Sequence, residues 1–543
     1  MLTYAQMSVK TGETTSMASR RDELNAYTFA RKRTVGAFLQ PSGGGNDEDA
    51  PKPVRAVLPS VVVAAVIVAG FGMWGVIKPS APKGWDDGKN IIQGKDSTTR
   101  YVVLIDSETH EKVLHQVLNM SSAKLVLPAG SKVVPVADSV LDAYPNHGAT
   151  IGIPYAPDKL PKSDDAGVAK KWSVCDRPGK GEIQATINQA VFVAADAEAK
   201  KLASPDLVLS TGQSLYVQAP KESEDDPGSE YLIDPQGRKH AVGNVGTSAD
   251  DRTNLRAALF GSDAKPQQVT KDWLDTLDAG DAILFPKIPD FLPKGVASKV
   301  GLTPKEERKV GRLLQFQNNS FYVVGVNKLF EISAFQAELI RYNPELRTIY
   351  DGTPKFADLS PGDYAKLQGQ IDSKTLKDDP KKMPQEKPAD HPVNFNGSGK
   401  GRTVLCSTFE GMEGQSIKRS VWASTDYPAP VTSGAATAHV SPGHGLLFRS
   451  VDGSGADSSG SNFLITETGL RYSVPSNNDG KGAATPSADP QAPQGQQQEQ
   501  ANEAASRLGF EKVQPTLVPH WWADLVPAGP VLNTKTALQA QTA

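Results

Sequence analysis

Cysteine is nearly absent from this chain. There are two in 543 residues, Cys175 and Cys406, so one bridge is the most they can form. An excess of charge of one sign is missing too: 58 Lys and Arg stand against 61 Asp and Glu, a net charge of −3. That leaves no electrostatic footprint for nucleic acid. Apolar content is low, at 38%, below the globular average, partly because several stretches are polar and rich in Pro, Gln and Asp. Long apolar runs are absent but for one. It extends from Val57 to Ile77 and carries no charge.

That run matches the ~20 residues a helix needs to cross a bilayer. The chain is therefore expected to span a membrane once, with a short arm on one side and about 465 residues on the other. Lys52 and Arg55 before the run and Lys78 and Lys83 after it nearly cancel. The arm decides orientation, because short basic segments stay cytoplasmic while long domains cross largely regardless of charge. The N-terminus is expected inside and the C-terminal part outside. The run starts more than 50 residues in, which favours a retained signal-anchor over a cleaved signal peptide.

Within the arm, residues 1–55, the stretch from Ser19 to Leu39 carries Leu24, Tyr27, Val35 and Phe38 on one helical face together with Arg31. Ser19 is the expected N-cap, with Asp22 and Glu23 in the first turn. Arg20, Arg21, Lys32 and Arg33 are expected on the opposite, basic surface, which with Arg31 makes up the basic set. Such a helix can dock on a partner, lie on anionic lipid, or simply set topology. Pro41 and the glycines at 43–45 end it.

Beyond the run a unit recurs. It opens with a hairpin pattern at Arg100, Tyr231, Tyr322 and Phe463, closed by turn-forming residues. A helix-like piece follows. Aligning Gly280 with Gly529 also matches Trp273 to Trp522 and Asp275 to Asp524, and Gly362 takes the same place in a third copy. The glycine suits a left-handed helix end. The expected units are 85–148, 228–286, 318–364 and 461–533, the last with a disordered insertion near 476–505. Residues 149–220 and 365–455 read as one discontinuous β-rich domain, and each segment holds one cysteine. Loops are expected at 222–229, 372–392 and 476–500. The two thiols, both beyond the apolar run, fit either one disulfide in an oxidising compartment or two separate buried thiols. The expected class is α+β: a cytoplasmic amphipathic helix, one transmembrane helix, and four α/β repeat units around a central β-rich domain.

Catalytic motifs are missing. No Gly-Lys pair is followed by Ser or Thr, so no phosphate-cradling P-loop is present. There is no GxSxG elbow. His110 and His115 are five apart, one residue too many to share a metal on one helical face, and the other histidines form no ligand cluster. No catalytic residue, metal or cofactor is expected.

The basic arm RRDELNAYTFARKR, the single span, TIGIPYAP from Thr150 and the closing VPHWW…PAGPVLN together resemble the EccB family, a membrane component of ESX-type (type VII) protein export. The resemblance runs from about Arg20 to Leu532. It implies a bridge between Cys175 and Cys406, and a structural role in a plasma-membrane complex with an FtsK/SpoIIIE-like ATPase and other Ecc subunits, with self-association of the outer part. The family more usually has glycine where Tyr155 stands. The alternative function is an extracytoplasmic hydrolase, of nucleotide or cell wall.

Overall fold

The computed structural model of the protein describes residues 20–39, 54–77, 81–106, 109–179, 187–221, 228–317, 319–350, 352–376, 383–397, 401–414, 416–431, 438–452, 460–475 and 503–541. Two compact units make it up, Met1–Ser80 and Ala81–Ala543. Ser19, Pro41, the glycines at 43–45 and most of the expected loops (222–227, 377–382, 476–502) lie outside the described residues.

Among the described residues the first unit holds two helices. Arg20–Leu39 has Asp22 and Glu23 in its first turn, where the helix dipole favours negative charge. Leu24, Tyr27, Val35 and Phe38 are all exposed. The expected separate basic surface is not there, and the apolar and basic residues are only weakly segregated. The reason is the helical period. At about 100° per residue Arg20 falls in line with Phe38 and Arg31 nearly in line with Leu24, while Arg21 and Lys32 flank the stripe. Only Arg33 points away.

Val54–Ile77 is a helix of 24 residues that includes the expected run. At 1.5 Å per residue it is about 36 Å long. Among the described residues no helix is long and apolar enough to cross a membrane.

The second unit contains five sheets among the described residues. The central one runs Ser416–Ser424, Val404–Glu413, Lys171–Pro178, Ile187–Ala194, Ala438–Val440. All neighbours are antiparallel except the last pair. Its strands come from two segments more than 200 residues apart.

The other four sheets share one topology. In the second, Leu215–Gln218, Glu230–Ile233 and Arg238–Ala241 form an antiparallel meander. Gln267–Gln268 then adds parallel to the first strand and Asp278–Ala279 parallel to the third. The helices Ala249–Phe260 and Lys271–Asp275 make the two crossovers. The third sheet repeats this with Leu313–Phe316, Ser320–Val324 and Leu329–Ile332, then Phe356–Asp358 and Ile371–Asp372. In the first sheet, Ile91–Gly94, Arg100–Ile105, Lys112–Val117 and Val133–Val136 take the first four places. In the fourth, Leu446–Val451, Asn462–Ile465, Arg471–Ser473 and Thr516–Pro519 do so. Single parallel bridges, Leu114 to His147 and Arg471 to Ala528, stand for the fifth strand in these two.

The expected boundaries therefore shift. Leu215–Gln218 and Leu446–Val451, assigned to the β-rich domain, belong to the second and fourth sheets, and Leu313–Phe316 and Ile371–Asp372 extend the third. Leu215, Tyr216 and Val217 are buried in succession, so this strand has no in–out alternation to say which sheet it joins. The left-handed glycine is also corrected. Gly280 and Gly529 are not among the positive-φ residues. Each passes beneath a ring of the third strand, His240 or Tyr472, and a Cβ there would enter the ring; Gly148 does the same under His115. Gly362 lies in the helix Pro361–Leu367 with open space around it, so it is not the equivalent position.

The main core covers one face of the central sheet and takes in Trp172 of that sheet, Trp273 of the second sheet's helix and Trp522 of the fourth's. Equivalent helices also pair at the periphery. Met120–Val126 packs on Glu503–Leu508, and Ala249–Phe260 packs on Ala334–Arg341.

Candidate functional site

The two cysteines sit on neighbouring central strands, opposite each other in register. They are bonded, with Cα atoms 4.0 Å apart, and close 231 residues of sequence. Both are fully buried, beside Ala190, Phe192 and Trp422. This is the centre of the fold rather than a reactive surface.

Strand alternation turns the next residue, Asp176, to the opposite face. There it meets the second sheet's short helix Lys271–Asp275. Thr270 caps that helix by accepting from the Trp273 N–H. Its own N–H donates to Asp176 Oδ2 at 2.6 Å and its hydroxyl at 2.9 Å. Gln189 Nε2 donates to the same hydroxyl at 2.6 Å and, weakly, to Asp176 at 3.4 Å. No cation pairs with this fully buried carboxylate among the described residues. Burial pushes its pKa up to about 6 against the opposing hydrogen bonds from Thr270. Trp273 and Trp522 then anchor their helices in the shared core, with indole N–H groups that find no acceptor. Asp275 pairs with Lys239 at 3.6 Å and Asp524 with Arg471 at 2.9 Å, so both alignments made on the sequence place like residues in like contacts.

TIGIPYAP forms the seam between the first and fourth sheets. Ile151 bridges to Val117 on one side and Ala540 on the other. The Ile153 N–H donates to Ser122 Oγ, and its carbonyl accepts from Asn119 Nδ2. Tyr472 donates its hydroxyl to the Tyr155 carbonyl at 3.2 Å. A turn closed from the Ala156 N–H to the Ile153 carbonyl holds Tyr155 at φ 61°, where glycine would be unstrained.

The arm residues Leu24, Tyr27, Val35, Phe38 and the basic set lie in the first unit, separate from the cysteines of the second. His115 is on a strand, its Nδ1 2.8 Å from the Ala149 carbonyl. Among the described residues no group of three or more His, Cys, Asp or Glu is placed to hold a metal ion. Ser441 donates to Glu198 rather than to a histidine, which is not a nucleophile arrangement. Two clefts stand out, of about 480 and 730 Å³. The first is lined by Asp234, Arg238, Phe335 and Gln385, the second by Arg177, Lys265, Asn394 and Phe395. Neither presents a glycine-rich phosphate cradle with an adjoining Lys and Ser or Thr. The Asp176–Thr270 contact and a His444 cluster described below had no signal in the sequence, since their partners are 94 and more residues apart.

A sequence model of the family described as "Type VII secretion system ESX-1, transport TM domain B" matches residues 16–543. The chain is 25% identical to the "ESX-3 secretion system ATPase EccB3" of Mycolicibacterium smegmatis, over 79% of this chain and 77% of that protein. It is 23% identical to the "ESX-1 secretion system ATPase EccB1" of Mycobacterium tuberculosis, over 83% of this chain and 86% of the relative. Among solved structures, a chain of an intact ESX-5 inner membrane complex aligns with TM-score 0.54 and 19% identity, covering 98% of this chain and 97% of that one. A chain of an EccB3 dimer from the ESX-3 core complex aligns with TM-score 0.52 and 21% identity, covering 83% and 100%.

Proposed function

The chain belongs to the EccB family of the type VII, or ESX, secretion system and is a structural subunit of that membrane complex, and from that premise we propose how its parts are deployed. The helix Val54–Ile77 crosses the plasma membrane once, with the arm in the cytoplasm and Ala81–Ala543 outside. The carrying observation is the family match over residues 16–543. The charge-free run Val57–Ile77 and the basic arm support the topology. The four like sheets act as four repeat units around the central, disulfide-bonded sheet. The outer part associates with further copies and other Ecc subunits. The arm docks through Leu24, Tyr27, Val35 and Phe38 on the machine's FtsK/SpoIIIE-like ATPase, with Arg20 and Arg31 inside the docking stripe and Arg21, Lys32 and Arg33 left available to anionic lipid.

Replacing Tyr27 and Phe38 with Ser tests the docking reading. Outer-domain folding should be unchanged, while export and co-purification with the ATPase fall. Normal assembly and secretion by this double variant would reduce the helix to a topology signal.

A second reading has the chain itself hydrolyse ATP, because curated relatives carry "ATPase" in their names. We favour a non-enzymatic subunit, since no P-loop, nucleophile elbow or metal-ligand motif occurs in the sequence. ATP and cell-wall hydrolysis by the purified full-length protein decides between them. Turnover that survives further purification and is lost on point substitution would establish the enzyme.

A further inference from the structure

Both ring nitrogens of His444 face carboxylates. Nδ1 is 2.7 Å from Asp165 Oδ1, and Nε2 is 3.0 Å from Asp196 Oδ2. A neutral imidazole has one N–H and one lone pair, and an ionised carboxylate can only accept. Only the imidazolium satisfies both contacts. In the neutral ring, one lone pair would confront a carboxylate lone pair.

The three residues come from three parts of the fold. Asp165 lies in the short helix Ser163–Ala166, after the first sheet. Asp196 opens the helix Asp196–Leu202 behind a central strand. His444 lies in the turn between Ala438–Val440 of the central sheet and Leu446–Val451 of the fourth.

The surrounding groups are committed unequally. Asp165 also takes Lys170 Nζ at 2.9 Å and the Gly445 N–H at 3.0 Å. Burial alone would raise the Asp165 pKa, but hydrogen bonds from His444, Lys170 and Gly445 outweigh it and hold the carboxyl below its ordinary value. Glu198 is occupied by the Ser441 hydroxyl and by His439, 3.1 Å away. Glu467 takes the Gly443 N–H at 3.0 Å and Lys159 at 2.9 Å. Asp196 has His444 alone among the described residues, with its side chain 82% exposed and its backbone at φ 48°. Losing the proton would therefore cost the Asp196 contact first.

We propose that His444 is a pH-responsive clamp, which as imidazolium ties Ser163–Ala166 and Asp196–Leu202 to the connection between the central and fourth sheets, and which releases the Asp196 side on deprotonation. The Asp165 hydrogen bond, chiefly, holds the ring's pKa above the ordinary value of 6.5. A raised folded-state pKa means the stabilisation is complete below the unfolded value and is lost as pH rises through the folded one. The clamp is closed in acid and opens on the alkaline side.

The test uses the full chain in detergent micelles, with ring-labelled histidine NMR and hydrogen exchange between about pH 5.5 and 9. The His444 signal, identified by its loss in His444→Gln, should titrate above the ordinary histidine value. Exchange protection of residues 196–202, corrected for intrinsic rates, should fall through the same midpoint, about tenfold for each unit of upward shift. Asp196→Asn should lower that midpoint, and His444→Gln should flatten the profile. A His444 pKa at or below the ordinary value, or identical profiles for wild type and His444→Gln, overturns the proposal. If His444→Gln does not fold, Asp196→Asn decides, and an unmoved midpoint overturns it equally.

Discussion

Asp176 gives the sharpest energetic test, because it is a fully buried carboxylate with no cation partner among the described residues, at the joint between the central sheet and the second sheet's helix. Its pKa is raised from 3.8 to about 6 by burial. The unfolded chain therefore releases this proton before the folded one does. Its contribution to stability is complete below pH ~4 and is lost as pH rises through ~6. The upward shift is about 2 units, and each is worth about 1.4 kcal/mol, so the loss is about 3 kcal/mol. Asp176→Asn removes the ionisation but can still accept from the Thr270 N–H and hydroxyl. The assay is denaturant unfolding followed by tryptophan fluorescence, since Trp273 lies three residues beyond the capping Thr270. Wild type should lose about 3 kcal/mol relative to Asp176→Asn between about pH 3 and 7. The difference between the two proteins cancels other titrating groups far from this site. Parallel pH profiles would refute the assignment of an uncompensated buried charge.

Other expectations follow from the same structure. Cys175→Ser should destabilise by up to about 5 kcal/mol on the chain-entropy account of so long a loop, and should abolish the gain in gel mobility of the unreduced protein; unchanged denaturation would contradict a native bridge. Gly280→Ala and Gly529→Ala should each cost about 1–3 kcal/mol by forcing a methyl into the ring of His240 or Tyr472, whereas Gly362→Ala, inside a helix with open space, should be neutral or slightly stabilising. Thermal melts compare them directly, and equal effects at all three positions would argue against the ring contact. For topology, a cysteine replacing fully exposed Val245 should react with an impermeant thiol reagent on intact cells, while one replacing Arg33 should stay protected. The opposite pattern reverses the orientation.

Much of the organisation was readable before any coordinates. The charge-free run from Val57 to Ile77 marked out the helix Val54–Ile77, because apolar length alone carries that signal. The hairpins at Tyr231, Tyr322 and Phe463 were visible because tight turns and alternating strands are local patterns. The Trp273–Trp522 and Asp275–Asp524 matches held because a duplicated contact leaves duplicated residues. What failed was partner choice. A short strand such as Leu215–Gln218, buried on both faces, reads the same whichever sheet it joins. Glycine at 280 reads as a turn until the His240 ring is found above it. On the arm, the face that carries Leu24, Tyr27, Arg31, Val35 and Phe38 also takes Arg20, which was expected on the opposite surface.

The sequence by itself determined composition-level facts: a single long apolar run, one possible bridge, recurring hairpin-and-helix units, and no catalytic motif. Tertiary structure alone decided that Cys175 stands opposite Cys406, that Asp176 takes the capping Thr270, and that His444 sits between Asp165 and Asp196. The physical reason is range. Turns, helices and apolar runs are set by neighbours within a few residues, whereas burial, pKa and ion pairing are set by groups that are close in space and hundreds of residues apart in the chain.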